Sequence, residues 1–230
     1  YMPEDISDNG FLENLGAFDI AATQYLYGPN ENQSTGDDTY YLDEEDSNGW
    51  YCIWDNGGTD TITAEDASKS VSIDLRNATL ENEVGGGGYI SQIANDSLGY
   101  TIAYNSTGDC IIENATGSDQ DDTLRGNEVN NILDGGVGND TMTGGDGNDT
   151  YIVDSEGDRV TEKSSGGKDT IKSSLEWSLV DNKYIENLTL TGSSNINGSG
   201  NSLDNKITGN SGDNKLYGKD GDDEIYGGAG

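Results

Sequence analysis

Residues 135–152 read GGVGNDTMT followed at once by GGDGNDTYI. These two nine-residue units share their glycines, one aspartate and one bulky apolar residue at matching places. Glycine tolerates φ > 0 and lets two backbones approach closely, so the first six residues of each unit suit a tight turn. The last three suit a short strand whose middle residue, Met142 or Tyr151, points inward. The phase continues on both sides. Gly117, Gly126, Gly135 and Gly144 stand nine apart, with Leu124, Leu133, Met142 and Tyr151 at the apolar place. A second array runs through Gly200, Gly209, Gly218 and Gly227, with Ile207, Leu216 and Ile225 expected inside. A flexible Gly/Asn/Asp linker has the same composition, but nothing would hold an apolar residue in register every nine positions. The expected fold is all-β, a parallel β-roll or β-solenoid.

The last turn position carries an oxygen donor in every unit: Asp122, Asn131, Asp140 and Asp149, then Asn205, Asn214 and Asp223. Two units complete one superhelical turn, so residues eighteen apart should stack: Asp122 on Asp140, Asn131 on Asp149, and Asn205 on Asp223. Two carboxylates about 4 Å apart repel by ~1 kcal/mol in water and ~4 at an effective dielectric of 20. A ladder of such pairs needs cations between its rungs. Carboxylate and carbonyl oxygens, the latter from turn glycines such as Gly136, Gly138, Gly145 and Gly147, are hard donors that select Ca²⁺ over softer metals. Asparagine keeps the oxygen and loses the charge, so its turns should bind more weakly.

Composition points the same way. The 230 residues include 44 acidic and 11 basic side chains and no histidine, a formal charge of −33. Such a charge argues against nucleic acid or an anionic membrane as partner. Apolar residues make up only 31%, which with high net charge normally signifies disorder. Together with the glycine phase it implies disorder without metal and order with several calcium ions. No stretch is long and apolar enough for a membrane span, and no secretion signal opens the chain. Residue 1 reads as the interior of a longer protein, and the final GGAG stops inside a fresh unit.

The pattern divides the chain into residues 1–30, the end of an upstream domain; 31–116, a strand-rich lead-in; 117–152, the first roll; 153–199, a second lead-in; and 200–230, a second, truncated roll. Within the first part, AFDIAATQYLY (residues 17–27) carries helix formers and stops at Gly28 and Pro29, which predicts one N-terminal helix.

Here the sequence resembles a known family. LGAFDIAATQYLYG (residues 15–28) is similar to the helix that ends the catalytic domain of serralysin-type metallopeptidases. TGDDTYYL, WDNGGTDTI (residues 54–62) and GDCIIENATGSDQDDTLRGN resemble the opening of that family's C-terminal, RTX-type calcium-binding β-roll. The resemblance implies a calcium site in the first lead-in, with carboxylates from Asp55 and Asp60. Backbone oxygens would come from Gly57, Gly58 and residues 34–38, with Glu113 bridging from the next coil. It implies export as an unfolded chain by a one-step secretion apparatus, and folding outside the cell. The family's catalytic zinc is bound by HExxHxxGxxH; a chain without histidine holds no such motif, so neither zinc nor catalysis is expected within it.

The second lead-in echoes the first: GGKDTI (residues 166–171) matches GGTDTI (57–62), and YIENLT matches IIENAT. This internal duplication places Asp169 and Glu186 where Asp60 and Glu113 stand.

The expected function is a calcium-dependent folding, secretion and stabilising module of an exported bacterial RTX protein, secreted or on the cell surface. Its partners would be calcium, an upstream metallopeptidase-like domain and the secretion apparatus. The alternative is the distal repeat region of a bacterial adhesin or surface-layer protein, which the second array suits. Lastly, Cys52 and Cys110 each precede a candidate ligand by three residues, in WYCIWD and DCIIE. Neighbouring strands in similar register would permit a disulfide; two small buried hydrophobes are the other reading.

Overall fold

The computed structural model describes residues 34–42, 50–79, 89–94, 99–103 and 110–230. The expected helix at 17–27 lies outside them. The described chain is a parallel β-solenoid. Its longest sheet has nine strands in chain order: Thr39–Tyr41, Thr61–Thr63, Asn114–Thr116, Ile132–Asp134, Thr150–Val153, Thr170–Ser173, Asn187–Leu190, Lys206–Thr208 and Glu224–Tyr226. All its pairings are parallel. This sheet runs without a break through both lead-ins and both arrays.

The chain alternates between this sheet and others. Thr123–Arg125, Thr141–Thr143 and Arg159–Thr161 pair in parallel in a second sheet, with Met142 level with Leu124 and Val160. Further along, Trp177–Ser178, Gly198–Ser199 and Leu216–Tyr217 form a third. The second sheet departs from the parallel rule once, where Ser91–Ile93 inserts antiparallel between Val71–Asp74 and Gly99–Ile102.

The three-residue strands behave as their pattern requires. In Thr123–Arg125 the outer residues are exposed and Leu124 is buried. Leu133, Met142, Tyr151, Ile171, Leu188 and Ile207 are likewise fully buried. They join the apolar residues of the first lead-in in a single core cluster. Each such side chain contributes roughly 1.5–3 kcal/mol of burial. Two expected interior residues differ. Leu216 is half-buried and Ile225 is 47% exposed, because the strand of Ile225 is covered on one side only, by Lys206–Thr208. Among the described residues no helix is long and apolar enough to cross a membrane.

Candidate metal centre

The solenoid brings one side chain into line at the entry to every strand of the nine-stranded sheet. The column runs Asp38, Asp60, Glu113, Asn131, Asp149, Asp169, Glu186, Asn205 and Asp223. Neighbouring rungs are tied by a repeated contact in which the backbone N–H of one residue donates to the next side chain. Asp38 donates to Asp60 Oδ1 at 2.7 Å and Asp60 to Glu113 Oε2 at 2.7 Å. Asn131 donates to Asp149 Oδ1, and Asp149 to Asp169 Oδ1, both at 2.8 Å. Asp169 donates to Glu186 Oε2, and Asn205 to Asp223 Oδ1, both at 2.9 Å. A shorter column on the other edge links Asp122 to Asp140 Oδ1 at 2.8 Å and Asp140 to Asp158 Oδ1 at 3.0 Å. The stackings eighteen residues apart are therefore hydrogen-bonded pairs.

These ladders use only one oxygen of each inner carboxylate. Oδ2 of Asp60, Asp140, Asp149 and Asp169 is buried and has no hydrogen-bond partner. All four residues are at most 1% exposed. An ionised oxygen taken out of water without a partner is costly. Burial, and then the neighbouring carboxylates, push all four groups up to about 7. A bare, buried, anionic oxygen in the same position on four rungs fits a hard divalent cation. The turn glycines fit as well. Gly57, Gly58, Gly136, Gly138, Gly145 and Gly147 all have positive φ. A Cβ on Gly136 or Gly138 would run into the carbonyl of Ser118 or Gln120 in the turn below. Consecutive turns are thus stacked backbone on backbone beside the bare oxygens.

Two groups of three carboxylates place one oxygen each within 4.8 Å of one another: Asp38, Asp55 and Asp60, and Asp149, Glu162 and Asp169. In the first, Asp55 Oδ1 accepts from Gly57 N–H at 2.9 Å and Oδ2 from the Tyr40 hydroxyl at 2.6 Å. The sequence offered Asp55 and Asp60 but not the Asp38 carboxylate, and it offered Asp149 and Asp169 but not Glu162.

Other predicted ligands are placed differently. Asp122 is saturated: Oδ1 accepts from Val71 N–H at 2.7 Å, and Oδ2 from Ser118 N–H at 2.5 Å and its hydroxyl at 2.9 Å. Asn131, Asn205 and Asn214 turn their amide nitrogens, not a spare oxygen, towards the neighbouring coil. Asn131 Nδ2 donates to the Glu113 carbonyl at 2.9 Å, Asn205 Nδ2 to that of Glu186 at 3.1 Å, and Asn214 Nδ2 to that of Ile196 at 2.7 Å. Each is paired with a second asparagine four residues earlier. Asn127, Asn201 and Asn210 donate their backbone N–H to its Oδ1 at 2.8–2.9 Å and receive its Nδ2 on their own Oδ1 at 2.9–3.2 Å. The Nδ2 of each earlier asparagine reaches two more carbonyls: Leu75 and Ile112, Asn182 and Ile185, or Thr191 and Ser194. The repeated spacing Gly-Asn-x-x-x-Asn at 126, 200 and 209 was the signal in the sequence for these pairs.

The cysteines are both free, against the disulfide expectation. Cys52 lies opposite Thr101 in the second sheet, whereas Cys110 lies beneath the site and accepts the Asp55 backbone N–H on Sγ at 3.4 Å. Both thiols donate to the same carbonyl, that of Ile53, Cys52 Sγ at 3.9 Å and Cys110 Sγ at 3.7 Å, so the two cysteines are neighbours that bond to backbone and not to each other.

Comparison with known proteins agrees with this geometry. A family model described as the RTX calcium-binding nonapeptide repeat, in 4 copies, matches residues 116–151 and 199–230. Fold, period and carboxylate ladder together define an RTX-type calcium-binding β-roll protein. Among individual proteins, the chain is 35% identical to the serralysin of Proteus mirabilis, over 30% of this chain and 20% of that protein. The chain thus spans about a fifth of the length of that relative.

Proposed function

We propose that this chain is the calcium-dependent folding module of an exported protein, and that its calcium is held at the aspartate rungs with a free inner oxygen. The observation that carries the reading is the bare, buried Oδ2 on each of Asp60, Asp140, Asp149 and Asp169. Calcium would be held there by these carboxylates and by carbonyls of the glycine turns, and would supply charge neutralisation between stacked coils. The paired asparagines take its place at the other rungs: their amides bridge the same turns with neutral hydrogen bonds.

Sites of this kind in extracellular modules bind at roughly 10⁻⁴–10⁻³ M. In the cytosol such a chain stays without its ions, carries its full repulsion and remains unfolded. Outside the cell it gains calcium and folds. That difference suits passage through a secretion apparatus as an unfolded chain, and a location outside the cell or on its surface. The likeness to serralysin supports a metallopeptidase-like domain upstream as the partner in the same polypeptide, with any zinc and any catalysis residing there.

Circular dichroism tests the reading. In EGTA the spectrum should be largely that of a disordered chain, and millimolar Ca²⁺ should bring in β-structure. Mg²⁺ should do so poorly, since it gives up its water reluctantly. Full β-content in EGTA at neutral pH would overturn the proposal. The duplicated lead-in favours a second reading, the repeat region of an adhesin or surface-layer protein. An HExxH motif in the sequence preceding residue 1 would select the first reading, and further copies of the duplicated unit the second.

A further inference from the structure

The regular roll opens each turn with glycine. The two turns after Gly144 break this rule, first at Val153, which follows in register opposite Gly135, and then at residue 162. Thr141–Thr143 pairs with Arg159–Thr161 so that Thr143 faces Thr161, and the next residues in register are Gly144 and Glu162. A glutamate therefore stands where the repeat has glycine. The turn it opens is also longer, since the rung from Asp149 to Asp169 spans 20 residues where regular rungs span 18.

Glu162 does not point its carboxylate away from the roll. Its Oε1 accepts the hydroxyl of Tyr151, whose side chain is fully buried. Its Oε2 accepts the Lys163 backbone N–H at 3.0 Å. A Cβ built on Gly144 would collide with three oxygens at once: Asp149 Oδ2, the Tyr151 hydroxyl and Glu162 Oε1. These atoms converge on one spot that only glycine leaves open. Asp149 and Asp169, 1% and 0% exposed, each bring a bare Oδ2. One oxygen from each of Asp149, Glu162 and Asp169 lies within 4.8 Å of the other two.

Cationic side chains nearby do not neutralise the group. Lys163 Nζ is 2.6 Å from Asp146 Oδ1, and the Arg76 guanidinium is 2.5 Å from Asp74 Oδ2. Among the described residues, no ion pair is made to Glu162.

We propose that Glu162, together with Asp149 and Asp169, forms a three-carboxylate calcium site at the junction of the first array and the second lead-in. The inference rests on the calcium reading of the aspartate rungs and adds a ligand outside the nonapeptide pattern. Tyr151 is a positioning residue that aims the Glu162 carboxylate. Affinity in oxygen-ligand sites rises with the number of charged ligands, so this site, like the group of Asp38, Asp55 and Asp60, fills before the rungs that carry fewer carboxylates. It fixes the longer turn, residues 162–168, onto the end of the first roll before the regular rungs load.

Calorimetric titration of the whole chain with CaCl₂ tests this, with wild type, Glu162→Gln, Glu162→Asp and Tyr151→Phe side by side. Glu162→Gln keeps size and polarity, so the fold at saturating calcium, checked by circular dichroism, should match wild type. One ion of the tight class should weaken by about tenfold or more or disappear, leaving the group of Asp38, Asp55 and Asp60 and the weaker class in place. Glu162→Asp and Tyr151→Phe should lose less, because each keeps the charge. An unchanged tight class in Glu162→Gln would overturn the proposal and leave Glu162 as a hydrogen-bond partner of Tyr151. Wild type that binds no calcium would overturn the array reading as well, which separates the two failures. If Glu162→Gln does not fold at saturating calcium, Glu162→Asp decides: a tight class unchanged from wild type overturns the site, and a weakened one supports it.

Discussion

Asp169 donates its backbone N–H to Glu186 Oε2 at 2.9 Å, as Asp60 does to Glu113 Oε2 at 2.7 Å. Both glutamates then offer their backbone carbonyls to an asparagine amide, Asn205 Nδ2 at 3.1 Å and Asn131 Nδ2 at 2.9 Å. The chain therefore runs the same rung sequence twice: aspartate with a free inner oxygen, glutamate, paired asparagine. The charged rungs are grouped, and each group ends in a rung closed by neutral amides. That arrangement limits how many carboxylates stack without interruption, and so how many cations one stretch needs.

The free inner oxygen separates two kinds of aspartate that look alike in sequence. Asp140→Asn and Asp149→Asn should raise the calcium concentration at half-folding, because each removes the charge on an oxygen with no other partner. Asp122→Asn should act differently. It disturbs donors from Val71 and Ser118, costing about 1–3 kcal/mol at all calcium concentrations. A calcium titration followed by circular dichroism, with thermal melts at saturating calcium, distinguishes the two. Identical behaviour of the Asp122 and Asp140 variants in both measurements would contradict the division.

The raised carboxyl groups give a pH dependence with a definite sign. Burial pushes Asp60, Asp140, Asp149 and Asp169 from 3.8 up to about 7, so the folded chain holds protons more tightly than the unfolded one. Their contribution is most favourable to folding below 3.8 and is lost as pH rises through about 7. In EGTA, acidification from about pH 8 to pH 5 should therefore increase β-content. With calcium present the sign reverses, since protons and calcium compete for the same oxygens and the calcium midpoint should rise on acidification. Circular dichroism at both pH values, with and without EGTA, checks both signs.

The period carried most of the fold. Glycine every nine residues and an apolar residue in phase fix turn, strand and inward face, and the interior places of Leu124 to Tyr151 follow from these alone. The duplication was legible too, since Asp169 and Glu186 could be aligned on Asp60 and Glu113 without reference to any structure. What was not legible depends on the partner of each atom. Asn131 and Asn205 read as weaker oxygen ligands because the side chain offers both an oxygen and a nitrogen. Only the coil below, which presents the Glu113 and Glu186 carbonyls to the amide nitrogens, decides which end is used. Glu162 was missed because it interrupts the pattern, and a search for repeats passes over the residue that breaks one.

The thiols provide a direct check on the first lead-in. Burial pushes Cys110 up to about 12 and Cys52 up to about 11, so neither is a reactive thiolate at neutral pH. Unreduced protein should show two free thiols in denaturant, and both should react slowly in native, calcium-loaded protein. Chelation should expose them and accelerate the reaction, if the lead-in depends on its carboxylate site as the rolls do. A mass two hydrogens lighter than the reduced chain would instead reveal a bridge.

The paired asparagines lead to the sharpest contrast. Asn205 Nδ2 donates to the carbonyls of Ile185 and Glu186 and to Asn201 Oδ1, and Asn205 Oδ1 receives the Asn201 N–H at 2.8 Å. Asn205→Asp keeps the acceptor and replaces the donor with charge. Three acceptors then lose their partner and face a carboxylate, which should cost about 2 kcal/mol or more in EGTA-free, low-calcium buffer. For a chain of this size that is roughly 4–8 °C in Tm. The same substitution recreates the aspartate of the regular repeat, and carbonyl oxygens that repel a carboxylate attract a cation placed between them. Raising calcium should therefore recover the lost stability in Asn205→Asp and do little for Asn205→Ala, which lacks both donor and charge. Melting curves over a range of calcium concentrations read this out. Equal loss in the two variants at every concentration would mean that the amide serves only to fill space, and that the neutral rungs are not substitutes for metal.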